Sequence, residues 1–241
     1  MTRWKASGIH FSLSLLIGLT AFCLLYFVYY PQPYFEPAGA SKLVMLLLSV
    51  DVILGPLLTL VVFKSGKRGM RFDLAVIAGL QACALIYGLS IMWRARPIFV
   101  IAVVDRLELV YAGDIEKADF KAANDPQFAN EPLFGPIFVV ARRAKPGKEQ
   151  GELMQAVVGG KDVHQFPKFF ERPSNNNFAP VLEKAKSFDD LPLLTQENVK
   201  SQVRNYLNDK YLPMQGRESA YVCVVESPTQ ALKQSVLGSA W

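Results

Sequence analysis

Apolar residues form long, nearly unbroken runs from position 8 to position 93, and short runs broken by charges from position 94 onward. The first long run, GIHFSLSLLIGLTAFCLLYFVYY, covers 8–30; the second covers 43–63 and the third 72–93. At about 1.5 Å of rise per residue, each can cross a hydrocarbon layer of about 30 Å as a helix. The first is too long for the apolar part of a cleaved signal and has no small-residue cleavage site before Pro31, so it reads as a retained span. The pattern predicts a membrane protein: a bundle of three transmembrane α-helices within 1–96, followed by an α+β domain with a small sheet over 97–241. The second part is long enough to bury a core of its own.

Within that second part, alternation and β-branched content predict strands at 97–104, 135–143 and 219–226, with 106–112 either a continuation of the first or a second strand. Helices are expected at 113–124 with Asp114 as cap, at 148–160 ended by Gly159, at 181–188, and at 195–212. The last has Thr195 as cap and an apolar stripe of Val199, Val203, Tyr206 and Leu207. Residues 164–180 read as a loop with exposed rings, and 227–241 as either a terminal strand or a frayed helix.

Charge orients the spans. Arg3 and Lys5 precede the first, and KSGKRGMR (64–71) joins the second to the third. The loop between the first two holds one acid and one lysine. The positive-inside rule then puts the N-terminus and the basic linker in the cytoplasm and the domain across the membrane, which for a bacterial inner membrane is the periplasm. Arg94 and Arg96 count mildly the other way. The net charge of +5 comes without a basic stripe interleaved with aromatics, so no nucleic-acid partner is expected. Cys23, Cys83 and Cys223 make neither a disulfide framework nor a metal spacing. Two histidines, His10 and His164, and no nucleophile, phosphate-loop or zinc motif argue against an enzyme, and no cofactor is expected. The glycine pair in VVGGKD follows a helix pattern and reads as a C-cap before a phosphate cradle.

One residue is out of place. Asp51 lies in a run whose other polar side chains are Ser49 and Thr59, and an acid at mid-span costs about 2.5–3.5 kcal/mol on insertion scales. Counted from the cytoplasmic ends, Asp51 is about 20 Å deep, level with Thr20 on the first span and Tyr87 on the third; Gln81 is about a turn and a half shallower. Three roles stay open: a clip holding the bundle together, a lateral contact for a client helix, or a proton relay. An aspartyl protease pairing with Asp73 is excluded by depth, since two such carboxylates must share a proton. Gly55-Pro56 predicts a break in the helix one turn after Asp51 and a freed carbonyl near Val52, completing an intramembrane polar cluster of Asp51, Thr20, Tyr87, Gly55 and Pro56. His10 and Asp73 are expected to pair at the cytoplasmic side. Phe166, Phe169, Phe170 and Phe178 form the candidate partner-binding loop, unless the rings simply cover the sheet.

RWKASGIHF (3–11), VDVILGPLLTLVVF (50–63), RFDLAVIAGLQ (71–81), YGL (87–89) and RARPIFVIAVVDR (94–106) together resemble the type IV pilin accessory proteins of the TfpX/TfpZ type. The likeness continues more loosely through AVVGGKD at 156–162. The resemblance implies an inner-membrane accessory factor or chaperone for type IV pilin stability and pilus assembly. Its partners would be a major or minor pilin, membrane lipids and other pilus assembly proteins. The alternative from the residues is a membrane-anchored periplasmic sensor acting through a separate signalling partner.

Overall fold

The computed structural model of the chain describes residues 2–204, 206–207, 209–225 and 234–239. The chain divides into two units: a helical unit of 1–28 and 40–94, and a sheet unit of 29–39 and 95–241. The segment 29–39 belongs to the sheet unit, against the expectation that Tyr29 and Tyr30 end the first span and that 31–42 is a mere connection between spans.

The helical unit holds three helices long and apolar enough to cross a membrane: Arg3–Tyr29, Ala40–Val62 and Met70–Ala95. The first is α1 (Arg3–Leu24) ending in a π-helical turn, Leu25–Tyr29. The second is α2 (Ala40–Ser49), a π-helical turn (Val50–Leu54) and α3 (Gly55–Val62). The third is α4 (Met70–Ala95). Small residues on α1, namely Ala6, Ser14, Gly18 and Ala21, are its buried face, which is how helices approach closely when no water drives them together. A Cβ at Gly18 would stand 3.0 Å from Leu48. Almost none of the apolar stretch of α4 is covered by protein, 6% against 22% and 33% for the other two.

The sheet unit carries one seven-stranded mixed sheet in the order β4-β3-β1-β2-β5-β6-β7. The hairpin β1 (Pro97–Val103) and β2 (Arg106–Tyr111) is antiparallel. After α5 (Lys117–Lys121) the chain crosses to lay β3 (Ile137–Ala141) parallel to β1. α6 (Lys148–Val158) and β4 (Phe170–Glu171) follow, then α7 (Asn175–Leu182) and α8 (Leu193–Gln202). β5 (Lys210–Gln215) joins β2 in parallel, and β6 (Ala220–Val225) and β7 (Gln234–Leu237) extend the sheet antiparallel. The α+β class is as expected.

Several boundaries differ from expectation. The helix expected over 113–124 is the single turn α5; Asp114 does not cap it but accepts from the Tyr111 N–H at 3.0 Å. The helix expected at 181–188 starts earlier, because Ser174 and Asn177 form a capping box at Asn175. The helix expected to 212 stops at Gln202, and 210–215 is strand β5. Thr195 is not its cap: it is buried, and its hydroxyl donates to the Ser239 carbonyl at 2.7 Å. Val199 and Val203 are buried as expected, whereas Leu207 is exposed. In the tail, 234–237 is the strand β7; 226–233 and 240–241 lie outside the described residues.

The segment 29–39 is a strap on the sheet unit. Tyr30, Tyr34 and Phe35 are buried, and burial pushes the Tyr34 hydroxyl well above the usual tyrosine range. The Ser235 hydroxyl donates to the Pro33 carbonyl at 2.6 Å, and the Arg217 N–H to the Pro37 carbonyl at 2.9 Å. Gly216 is needed here, since a Cβ would lie 2.8 Å from the Pro37 oxygen. Arg96, counted by sequence as a charge flanking the third span, is 1% exposed. It donates to Glu131 at 2.7 Å and to the Pro132 carbonyl at 3.0 Å, so it is part of the domain's interior.

Candidate functional site

The backbone around Asp51 is set by two adjacent sequence features. Pro56 has no N–H, and a π-helical turn shifts the acceptor by one residue, from i−4 to i−5. The carbonyl facing Pro56 is then that of Asp51, one residue before the Val52 carbonyl expected from an α-helix. It is not left open: the Gln81 side-chain amide on α4 donates to it at 3.0 Å. Gly55 makes this bond fit, because a Cβ there would overlap the Gln81 amide. Helix break, glycine and glutamine thus form one device that ties α4 to the second helix.

The carboxyl of Asp51 is a separate matter. Asp51 is 6% exposed, and its Oδ1 has no hydrogen-bond partner among the described residues; neither has Oε1 of Gln81. Two grooves meet at this residue. One, of about 250 Å³, runs between the second helix and α4 and is lined by Leu46, Leu47, Ala84, Tyr87, Gly88 and Asp51 among others. The other, of about 150 Å³, runs between α1 and α4 past Ser14, Ile17, Asp51 and Gln81. Both are apolar apart from these few atoms.

The partners expected for Asp51 by depth are otherwise engaged. The Thr20 hydroxyl donates to the Leu16 carbonyl one turn back, at 2.9 Å. Tyr87 lines the larger groove but is 69% exposed and makes no bond to Asp51. Gln81, placed too shallow by counting, is the residue that reaches. Counting assumes three upright rods starting in one plane, whereas α4 starts at Met70 and the second helix carries a π turn. The expected His10–Asp73 pair is not formed either. His10 Nδ1 and the buried Thr59 hydroxyl share a hydrogen bond at 2.6 Å, and Asp73 pairs with Lys67 at 2.5 Å. With Ser7 donating to the Pro56 carbonyl at 2.8 Å, the His10–Thr59 bond fastens α1 to α3.

In the sheet unit, the expected exposed aromatic loop is largely interior. Phe169, Phe170 and Phe178 are 0%, 2% and 1% exposed. Phe170 packs edge-on to Phe99 at 5.1 Å, and Phe178 edge-on to Phe138 at 5.3 Å. Only Phe166 of the four is half-exposed. Arg142 pins the segment: its N–H donates to the Phe169 carbonyl, its guanidinium lies 5.0 Å over the Phe169 ring, and it grips Glu149 at 2.7 and 2.9 Å. That grip, with the Lys145 N–H, holds the Glu149 carboxyl down to about 2. The rings cover the sheet, as the second reading of this loop had it. Cys223 is fully buried, and burial pushes its thiol well above the usual range.

Comparison with known proteins gives these observations a context. The family model described as "Fimbrial assembly protein FimB" matches residues 1–39, which span the first helix and the strap. The chain is 33% identical to "Fimbrial assembly protein, serogroup E1" of Dichelobacter nodosus over 207 residues, covering 82% of this chain and 78% of that protein. It is 34% identical to the serogroup I protein of the same organism over the same shares. A further relative, "serogroups C1 and C2", is 39% identical over 113 residues, 46% of this chain and 86% of that protein. No solved structure matches. The relatives carry the fimbrial assembly name, and at this identity and coverage the chain belongs to the fimbrial assembly protein family.

Proposed function

We propose that the protein is a non-catalytic accessory factor of the bacterial inner membrane, of the TfpX/TfpZ type, that assists the subunit of a type IV fimbria before or during its assembly. The observation that carries this reading is the 33% identity to a fimbrial assembly protein over four-fifths of the chain. In this reading the three helices cross the membrane, the N-terminus and the basic linker at 64–71 lie in the cytoplasm, and the sheet unit lies in the periplasm. Two features agree with this arrangement. The strap between the first two spans folds together with the residues that follow the third, as expected when two crossings, an even number, separate them; this supports three spans and holds for either orientation. Arg96, one of the two charges against the proposed orientation, is buried in the sheet unit and carries no topological weight.

The test is genetic and topological together. Deleting the gene should lower surface fimbriae and the level of subunit in the membrane, and the full-length chain should restore both. A subunit is expected to co-purify with the chain from native membranes. Alkaline phosphatase fused after Val110 should be active and fused after Gly69 inactive. Normal fimbriation in the deletion strain would refute the function, and the reverse fusion pattern would refute the orientation.

A further inference from the structure

The interior of the helical unit contains polar atoms that its own fold leaves over. Asp51 Oδ1 and Gln81 Oε1 are both buried, both are acceptors, and neither has a donor among the described residues. A buried acceptor without a donor costs about 1–3 kcal/mol, and more if it is charged. An ionisable residue inside a membrane span marks a site unless the chain itself pairs it. Here the chain does not, although Gln81 is close enough to bond the Asp51 carbonyl.

We infer that this cleft is a docking site for a single apolar helix that presents a nitrogen donor, an ammonium or a primary amide, at the depth of Asp51. The inference rests on the assembly reading, and the occupant it names is the membrane helix of the fimbrial subunit. Three observations shape it. First, Asp51 lines both grooves and Gln81 only the smaller one, so a group that serves both acceptors sits at Asp51, where the grooves meet, and needs at least two hydrogens; an ammonium or an amide NH₂ has them and a hydroxyl does not. Second, the larger groove is bordered by Ala84, a small exposed residue of α4 where an incoming helix can approach closely; Gly88, one turn further on, already receives Leu47 of the second helix. Its volume of about 250 Å³ takes a ridge of side chains from a helix lying alongside, the usual way helices pack. Third, α4 is the span least covered by protein, so one wall of the cleft has its apolar surface free for a neighbour.

The site explains why an acid is placed in a segment that otherwise dissolves in lipid. Leucine at position 51 would stabilise the empty groove and remove what discriminates one passing helix from another. An acceptor pair that only a donor-bearing helix can satisfy favours that helix and disfavours purely apolar ones.

The experiment uses full-length chain in native membranes that also contain the fimbrial subunit. A photoreactive residue is placed at Leu46, which lines the groove, and in a control at Met45, which is 75% exposed but does not line it. Cross-linking to the subunit is expected from position 46 and at least tenfold less from position 45. Asp51→Leu should lower the yield from position 46 by at least tenfold while the amount of chain in the membrane stays the same. Asp51→Asn separates the donors: it keeps an acceptor oxygen, so an amide donor retains the cross-link and an ammonium donor loses it. Equal yields from 45 and 46, a yield unchanged by Asp51→Leu, or cross-links only to lipid or to a second copy of this chain would each overturn the site. The broader reading fails separately: it falls if deletion leaves fimbriation intact, and it stands if the subunit co-purifies with Asp51→Leu as with the native chain.

Discussion

The surroundings of Arg96 in the sheet unit and of Asp51 in the helical unit invite comparison. Both side chains are buried, at 1% and 6% exposed. Arg96 finds a carboxylate at 2.7 Å and a carbonyl at 3.0 Å inside its own unit. Asp51 finds no partner for its carboxyl Oδ1 among the described residues, although a glutamine amide lies against its backbone. A buried charge that the fold pairs belongs to the fold, because removing either partner strands the other. A buried acid that the fold leaves unpaired is, in the docking reading proposed above, held for something outside the chain. The same contrast holds for apolar surface. The sheet unit buries Phe99, Phe128, Phe169, Phe170 and Phe178, although Phe134, Leu193 and Leu194 are exposed, whereas the helical unit shows Leu46, Leu57, Val61, Leu80 and Ile86 to its surroundings along its spans.

The largest expected effect comes through the rings of the sheet unit. Phe169→Ser and Phe170→Ser each remove a ring that is 0% or 2% exposed, at an expected cost of about 3–5 kcal/mol apiece. Together they approach the whole margin of an ordinary domain, about 5–15 kcal/mol. The double variant should lose protease resistance in the sheet unit. Unchanged resistance would mean that these rings lie on the surface, and the contrast between the units would lose its ground.

Next in size is Arg96→Ala. It empties a fully buried site and leaves Glu131 without its partner, but Glu131 is 41% exposed and keeps water. The cost should therefore fall near the low end of the range for a broken buried pair, about 3 kcal/mol. Thermal unfolding of the full chain in detergent measures it. A loss below about 1 kcal/mol would show that the pairing of Arg96 is incidental, and the comparison with Asp51 would then teach nothing.

Much of this contrast could be read in the sequence, and the parts that could not have physical reasons. The three apolar helices, the anomaly at Asp51 and the break at Gly55-Pro56 come from composition alone, because lipid admits few side chains and few backbone forms. Extended structure at 97–104, 106–112 and 220–225 comes from β-rich and alternating runs, but that the first two pair as a hairpin rather than run on as one strand does not. β5 stays hidden, because Pro213 inside it argues against a strand and the preceding residues continue a helical pattern. The strap stays hidden because nothing in PQPYFEPAGASK says that Tyr34 and Phe35 will be buried or that Pro37 and Pro33 will be held by Arg217 and Ser235, about 180 and 200 residues later in the chain. The cluster around Asp51 is half legible. Asp51, Gly55 and Pro56 are named by their chemistry, but Thr20 and Tyr87 are named by depth, and depth does not report which way a side chain turns. Gln81 would have been found by asking which polar side chain in the span could serve the carbonyl that Pro56 leaves without a donor.

The smallest effects give the sharpest form of the comparison, and they concern the helical unit alone. Gln81→Leu removes a bond across two helices, and such bonds are worth about 0.6 kcal/mol on average in membranes. Asp51→Leu removes no bond at all, since the carboxyl makes none among the described residues and the Gln81 amide is held by the backbone. Unfolding of the helical unit in detergent, followed by helix content in the absence of any fimbrial subunit, should thus show a loss for Gln81→Leu. Asp51→Leu should show no loss, or a small gain as an unpaired acid leaves an apolar groove. If Asp51→Leu instead costs as much as Gln81→Leu or more, the carboxyl is holding the helices together. Asp51 would then be a member of the fold like Arg96, and the cleft would need no occupant.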